Sequence, residues 1–238
     1  MVYTVDDPFA SKHTPRNKGR ESLAYLQYIV EHYYDLPSTI VFVHSHKDGW
    51  PEAWHTDTFT YSNVDSIRSL QLEYVQNHGY ANLRCQENPG CPDEIQPFRS
   101  GASSSSDPTQ HPGQYAEKFY AQAWEELFNN TSVPPVVAAP CCSQFAVSRA
   151  QVLKRPKTDY DRFYRWVLNT PLSDDVVARI MEYTWHIIFG RNPVQCVLPS
   201  LDPCPVPDAN TSCSFAAART LSNVIKMSTE VRITGSLD

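Results

Sequence analysis

Long apolar runs and basic stripes are both missing from the 238 residues. No stretch of about 18 apolar residues occurs, which argues against a helix that spans a membrane. Acidic side chains outnumber basic ones, 26 to 20, and the net charge of −6 argues against a nucleic-acid-binding protein, which normally carries a basic surface. Glycines number only 8, while prolines number 19 and aromatic residues make up 12%. This composition predicts a folded chain with rigid loops.

Three familiar catalytic and cofactor-binding signatures are absent or out of place. No Gly-x-Ser-x-Gly nucleophile elbow occurs, which disfavours an α/β-hydrolase. Gly19 stands alone at a predicted helix start, whereas phosphate-binding loops need several glycines. Asp159-Tyr-Asp161 has the spacing of a glycosyltransferase metal-binding pair, but it falls in a predicted helix rather than after an apolar strand. We therefore predict a protein without a cofactor.

Cysteines and glycosylation triplets indicate an oxidising compartment. The chain has seven cysteines, and Asn129, Asn130 and Asn210 each begin an Asn-x-Ser/Thr triplet. The sequence starts at Met1 without a signal peptide, so we expect Met1 to replace a removed leader. These features favour the secretory pathway or the cell exterior, and a cytosolic protein with free thiols is the alternative.

The cysteine spacing leaves several disulfide pairings open. Because seven is odd, at least one thiol is expected to be unpaired or intermolecular. Cys85 and Cys91 bracket a turn-rich loop that would bring them within bonding range. Cys141 and Cys142 are adjacent, and adjacent cysteines rarely bond each other. One of them is therefore expected to reach a C-terminal set consisting of Cys196, Cys204 and Cys213.

Apolar periodicity predicts a mixture of helices and short strands. Helices are predicted over 19–34, 64–77, 114–128 and 174–189, with a further one around 160–167, and strands over 39–45, 136–139 and 145–147. The order of elements favours an α/β fold: a single three-layer-like domain, 1–238, with a mixed sheet flanked by helices. Residues 191–238 are rich in proline and cysteine, and we expect this tail to wrap the core, pinned by disulfides.

Histidines and tryptophans concentrate just after the 39–45 strand. His44 and His46 are two residues apart, so they project from the same face if the strand continues through them. Trp50, Trp54 and His55 follow within the next residues. Three side chains able to transfer protons therefore lie beside two large aromatic rings, which makes this the predicted chemical site.

Two further clusters are candidates for binding or catalysis. Arg179, Glu182 and His186 share one face of the predicted 174–189 helix, either as a solvated stripe or as the wall of a pocket opposite the histidines. Glu182 and His186, together with His44, His46 and His55, would also offer nitrogen and oxygen ligands to a metal. Strand-end histidines more often serve acid–base chemistry, and we assign no metal. Asn17, Lys18 and neighbouring cations stand at a predicted helix start, where they would either be solvated or grip a ligand oxygen.

Nine short motifs follow one another along the chain: Arg16-Asn-Lys-Gly-Arg-Glu21, Tyr25-Leu26, Tyr34-Asp-Leu-Pro37, Phe42-Val-His44-Ser-His46, Trp54-His55, Gly79-Tyr-Ala-Asn-Leu-Arg-Cys85, Gly90-Cys-Pro92, Cys142-Ser-Gln-Phe-Ala-Val-Ser-Arg149 and Glu182-Tyr-Thr-Trp-His186. As an ordered set over roughly residues 3–190, they resemble the fungal domain-of-unknown-function family 3431. Residues 49–53 stretch the histidine–tryptophan spacing usual in that family, which affects the placement of His55.

The resemblance implies a fold and a class of activity only by analogy. The family pattern is faintly similar to glycosyltransferase folds of the A type, which implies an α/β sandwich. In size and in having no cofactor motif, the chain is similar to the hetero-Diels–Alderases of tropolonic sesquiterpenoid biosynthesis. The expected catalytic residues are His44, His46, His55, Arg20, Arg84, Glu182 and His186. The expected substrate contacts are Asn17, Lys18, Tyr25, Phe42, Trp50, Trp54, Asn82 and Trp185.

The leading hypothesis is a cofactor-independent cyclase of fungal natural-product biosynthesis that catalyses a (hetero-)Diels–Alder-type cycloaddition on a small apolar substrate. Holding two reactants in register supplies about 7 kcal/mol or more, and a histidine would act as acid–base catalyst if dehydration first generates the diene. The alternatives are a metal-dependent or glycosyltransferase-like enzyme that uses His44 and His46, and a secreted binding protein without catalysis. The expected partner is a small molecule, with no nucleic acid, and a homodimer is left open.

Overall fold

The computed structural model describes residues 1–99 and 112–196, and these residues form eight helices and three strands. In chain order the elements are α1 (Glu21–His32), β1 (Thr39–Phe42), α2 (Asn63–Ser69), α3 (Leu72–His78), β2 (Tyr80–Asn82), α4 (Pro112–Phe128), β3 (Phe145–Ser148), α5 (Arg149–Val152), α6 (Lys157–Asn169), α7 (Asp174–Glu182) and α8 (Trp185–Ile188). None of the described helices combines the length and apolar character needed to cross a bilayer.

The three strands form one antiparallel sheet in the order β1-β3-β2. Thr39 lies opposite Ser148 and Phe42 opposite Phe145, while Asn82 on the other side also lies opposite Phe145. The sheet is thus antiparallel rather than mixed, and the described parallel pairings are isolated bridges, such as Thr4 with His13. The predicted strand 136–139 is reduced to similar bridges, through residues 137 and 138.

Helices cover both faces of the sheet, as the three-layer prediction expected. Alternate residues of β3 serve different cores: Phe145 and Val147 belong to a large cluster that includes α1, α4, α6 and α7, whereas Ala146 belongs to a small cluster. That small cluster also contains Leu70 and Val75, at the end of α2 and in α3. Because strand side chains alternate between faces, the central strand needs apolar residues at every position, and all four of its residues are buried.

Two predicted helices are each divided in the structure. The 64–77 helix becomes α2 and α3, because Leu70 adopts an extended conformation (ψ 125°) between them. The 174–189 helix becomes α7 and α8, with a break at Tyr183 and Thr184. At this break the Thr184 hydroxyl donates to the Ile180 carbonyl (2.6 Å), a local hydrogen bond that competes with regular helix geometry. The other predicted helices are confirmed within a few residues at their ends.

The disulfides differ from those expected. Cys91 is bonded to Cys196 rather than to Cys85, and it ties the start of the tail to the loop after β2. Cys85 is itself in a disulfide. Cys141 and Cys142 are bonded to each other, whereas the sequence analysis expected one of them to reach the C-terminal cysteines. Residues 197–238, including Asn210, Cys204 and Cys213, lie outside the described residues, as does most of the predicted wrapping tail.

Candidate functional site

Three strand ends converge at one edge of the sheet. Because β1 and β3 are antiparallel and Phe42 lies opposite Phe145, the residues after β1 and those before β3 leave the sheet at the same edge. The end of β2 lies there as well, since Asn82 also faces Phe145. A cavity of about 610 Å³ borders both His44 and Ser143, the residues that this topology brings together.

The cavity lining is rich in titratable side chains and also has apolar surface. Its titratable residues are Arg20, Glu21, His44, His46, Glu52, His55, Glu94, Asp175, Arg179 and Glu182. Apolar surface comes from Trp54, Pro89, Ala178 and the Cys141–Cys142 disulfide. A cavity of this composition suits a small molecule with several polar groups better than a purely apolar one.

Glu21, His44 and His55 form a chain of side chains at the cavity wall. His44 Nδ1 lies 3.1 Å from His55 Nε2, within hydrogen-bond distance. His44 Nε2 lies 3.9 Å from Glu21 Oε1 and makes no hydrogen bond. The backbone fixes this arrangement, since the amide of His44 donates to Gln144 Oε1 (3.0 Å). Glu21, His44 and His55 thus lie in a row with one hydrogen-bonded link, and we call this row the relay.

His46 completes a group of three imidazoles. Its ring centroid lies 5.8 Å from that of His55 and 6.4 Å from that of His44. Asn63 at the start of α2 holds the loop in place by donating from Nδ2 to the His46 carbonyl (2.6 Å). Both histidines line one cavity, as expected, although the strand predicted to carry them ends at Phe42 and loop contacts hold them instead.

The relay imidazoles are uncharged in the folded state. Burial lowers the pKa of His44 from 6.5 to about 3, with further lowering by His46 and Arg20. Burial also lowers the pKa of His55 from 6.5 to about 3, with contributions from His44, His46 and Arg84. Both rings are therefore neutral near pH 7 and carry free nitrogen lone pairs.

Carboxyl groups occupy the remaining walls of the cavity. Glu182 accepts hydrogen bonds from the Cys142 amide and from Arg179 Nη1, each at 2.5 Å. Burial raises the pKa of Glu21, of Glu94 and of Glu182, and for Glu182 the nearby Arg179 opposes that rise. The cavity thus places carboxyls with raised pKa values beside imidazoles with lowered ones, a combination typical of acid–base sites.

The segment before β3 has an unusual backbone. Cys142 and Ser143 have φ values of 90° and 50°, and Arg20 on the facing loop has a φ of 52°. These left-handed conformations are costly for residues with a side chain, and they concentrate at functional sites. Gly90 packs against this segment so closely that an added Cβ would lie 2.1 Å from the Ala139 carbonyl oxygen.

Several predicted site residues do line the cavity. His44, His46 and His55 are brought together with Arg20, Trp54 and Glu182, as expected. Arg20 extends into solvent and pairs with Asp175 at 2.5 Å. Arg179 lines the cavity beside Glu182, which agrees with the pocket-wall alternative for these two members of the helical stripe.

The predicted aromatic walls lie elsewhere. Tyr25, Phe42 and Trp185 are at most 1% exposed and pack together in the main core, because they occupy the inward positions of α1, β1 and α8. Trp50 is 68% exposed, contacts Tyr61 and does not border the cavity. Of the five aromatic residues assigned to the walls, Trp54 is the one at the cavity.

His186 is also separated from the stripe that the sequence placed it on. The break after α7 turns α8 away, and His186 becomes 1% exposed with its Nε2 2.9 Å from the Pro193 carbonyl oxygen. Lys18 reaches the Leu172 carbonyl and Asp174 at the start of α7, and Asn17 is exposed to solvent. None of these three residues borders the cavity.

Asn82 and Arg84 lie outside the cavity lining and contact the loops that form it. Asn82 Nδ2 donates to the Pro140 carbonyl (2.8 Å), and its Oδ1 accepts from the Arg84 amide (2.8 Å). Arg84 is 4% exposed, and its guanidinium lies 5.0 Å from the Trp54 ring centroid. Both residues therefore position the loops, and they do not touch the cavity.

Sequence reasoning missed Glu21, Glu94, Ser143 and the adjacent disulfide as cavity components. Glu21 carries a usable signal, since it ends the Arg16–Glu21 motif, but a carboxylate in the first helical turn is also explained by the helix dipole. Glu94 lies in an irregular loop, and no local pattern distinguishes it from a solvated side chain. Its place at the cavity depends on long-range packing.

Metal ligation has limited geometric support among the described residues. Within the ranges that the structure describes, Cys141, Cys142 and Glu182 are the one set of three potential ligand atoms that all lie within 4.8 Å of one another. The two cysteine sulfur atoms are joined in a disulfide and are not thiolates.

A sugar-transfer site finds no support in Asp159 and Asp161, which lie in α6 and pair with Arg155 and Lys157.

Comparison with known proteins adds a family assignment. No curated protein matches the chain, and no solved structure matches it. The model of the family described as "Protein of unknown function (DUF3431)" matches residues 1–205. That match contains all three strands, the relay histidines and every residue that lines the cavity. The chain therefore belongs to this family, DUF3431.

Proposed function

We propose that this protein is an enzyme that performs general acid–base chemistry on a small, polar organic molecule bound in the cavity. The observation that carries the proposal is the Glu21–His44–His55 relay, which opens onto a cavity large enough for a small metabolite. Proton transfer by a positioned side chain typically contributes 10²- to 10⁴-fold to a rate.

The relay leaves one base for the substrate. Two neutral imidazoles hold two N–H groups and two lone pairs, and their mutual hydrogen bond uses one of each. When the remaining N–H is on His44 Nε2 it faces Glu21, which favours this tautomer, and the remaining lone pair is then on His55. His55 is thus the proposed base, His44 orients it, and Glu21 stabilises the positive charge that develops.

Loss of water from a small molecule is the reaction class we favour. His55 takes a proton from carbon, the C–O bond breaks, and the imidazolium returns the proton to the departing hydroxide as water. Such a dehydration creates a conjugated double bond, and it would prepare a substrate for ring closure. It therefore fits within the cyclase hypothesis for fungal natural-product biosynthesis.

A cycloaddition in which the enzyme only holds two apolar reactants in register has less support. It requires apolar walls that hold both partners, and Tyr25, Phe42 and Trp185 are in the core instead. The charged lining would have to be desolvated without gaining new partners. The disulfides and the exposed Asn129 and Asn130 support an oxidising compartment as the setting.

Hydrogen–deuterium exchange tests the proposal without the natural substrate. A panel of small ketones and β-hydroxyketones in D₂O would be followed by NMR for deuterium at the carbon next to the carbonyl, and by ultraviolet absorbance for enone formation.

The wild-type protein is expected to accelerate deuterium exchange for some compounds of the panel. His55→Gln should lose at least about 100-fold of that rate. His78→Gln, a change at an exposed histidine far from the cavity, should retain it. Absence of exchange in the wild type, or full activity in His55→Gln, would contradict the proposal.

A further inference from the structure

The charges around the cavity do not balance. Five carboxyl side chains border it, against two guanidinium groups. Both cations are already paired at 2.5 Å, Arg20 with Asp175 and Arg179 with Glu182. The relay imidazoles are neutral near pH 7. Glu21, Glu52 and Glu94 therefore remain as carboxyls in excess.

Glu94 is the carboxyl whose partner is most clearly missing. It is half-buried, and no cation in the described parts of the chain lies within 4.0 Å of its carboxylate. Arg179 is close enough to favour its ionised form, but that guanidinium is bound to Glu182. A buried carboxylate loses hydration and regains that free energy only from a cation or from hydrogen-bond donors. A ligand cation would supply both.

A second observation also points to a polar ligand. Ser143 is 5% exposed and borders the cavity beside the Glu21 carboxyl, yet no atom of the described residues meets its hydroxyl at normal hydrogen-bond geometry. Buried hydroxyls are normally satisfied, so a group that enters the cavity is the natural partner. Trp54, 43% exposed at the same cavity, offers an apolar surface for the carbon skeleton of the ligand.

We infer that the cavity takes a substrate carrying a protonated amine, with Glu94 as its counter-charge and Ser143 as a hydrogen-bond partner for the same molecule. This inference rests on the proposed function, because it names the substrate class of that cavity. Carboxylate- and phosphate-bearing molecules are disfavoured, since they would bring negative charge to a lining in which carboxyl groups outnumber guanidinium groups.

Three probes with one ring and different charges test the inference: benzylamine, benzyl alcohol and benzoate. Their affinities would be measured at pH 7 by isothermal titration calorimetry. Benzylamine is expected to bind at least tenfold more tightly than the other two. Glu94→Gln should reduce benzylamine affinity about tenfold while leaving benzyl alcohol affinity unchanged, which also shows that the variant is folded. Glu125→Gln, at an exposed position on α4, is the matched control and should change neither.

Several outcomes would overturn the inference. Benzoate binding as tightly as benzylamine, no detectable benzylamine binding, or undiminished benzylamine binding to Glu94→Gln would each do so. These measurements do not depend on proton transfer. If benzylamine fails to bind but hydrogen–deuterium exchange is observed, only the inference of an amine substrate is refuted. If benzylamine binds but no exchange is observed, the proposed acid–base activity is refuted and the amine-binding site stands.

Discussion

Replacing His55 with glutamine is expected to make the protein less sensitive to acid. The pKa of His55 falls from 6.5 in the unfolded chain to about 3 in the folded protein, because the ring is buried and faces His44, His46 and Arg84. Below pH 6.5 the unfolded chain binds a proton that folded His55 does not. The folded state therefore keeps its full stability above pH 6.5 and loses it progressively as the pH falls toward 3.

The size of this effect follows from proton linkage. Each pH unit below 6.5 costs about 1.4 kcal/mol for one such group, so between pH 7.5 and pH 5.0 His55 alone should remove about 2 kcal/mol from the free energy of unfolding. Glu21, Glu94 and Glu182 act in the opposite direction, since their raised pKa values let the folded state bind protons first as the pH falls. Wild type and variant share that contribution, so it cancels in the difference between them.

Urea unfolding followed by tryptophan fluorescence at pH 7.5, 6.5 and 5.0 measures this difference. On acidification the wild type should lose about 2 kcal/mol more than His55→Gln does. His78→Gln, at an exposed position, should follow the wild type in parallel. A gap between wild type and His55→Gln that stays constant across the three pH values would refute the assignment of His55 as a buried, neutral base.

Two further predictions concern stability. Gly90→Ala should cost roughly 2 kcal/mol or more, because the new Cβ would lie 2.1 Å from the Ala139 carbonyl oxygen at a φ of +122°. Gly49→Ala, with a φ of +94° and open space around it, should cost only about 1 kcal/mol, and equal losses in urea unfolding would contradict the packing argument. Replacing Cys91 and Cys196 together by serine should cost about 2–5 kcal/mol, since their bond closes a loop with a sequence separation of 105. If the double variant, with its other disulfides intact, has the same melting temperature as the wild type, the Cys91–Cys196 bond contributes nothing to stability.

Local pattern predicted the elements better than their ends or their pairing. Helix α1 follows from apolar residues at helical spacing. Ser148 caps α5, since its side chain accepts from the Gln151 amide (3.2 Å). The division of the 174–189 helix depends on Thr184 and on the packing of Trp185 into the core, which periodicity alone does not report. Strand direction depends on long-range pairing, which local pattern does not report. The sheet of the described residues is accordingly antiparallel, not mixed as predicted.

The site was predictable where the chain itself brings residues together. His44, His46, Trp54 and His55 are close in sequence, and the structure keeps them together. Aromatic residues were misassigned because an apolar position such as Tyr25 looks the same whether it faces a core or a ligand. Contacts between Glu94, Ser143 and the histidines join distant segments, and no local spacing encodes them.

The cavity draws on five separated stretches of chain, 20–21, 44–55, 89–94, 141–143 and 175–182. No fragment that ends before α7 holds all the walls. During synthesis, the cavity is completed only after α7 has left the ribosome, however early residues 44–55 emerge. A proteolytic nick between these stretches would leave pieces held by the shared core and, for a nick between 94 and 141, also by the Cys91–Cys196 disulfide. We expect such a nick to weaken ligand recognition before the helices unfold.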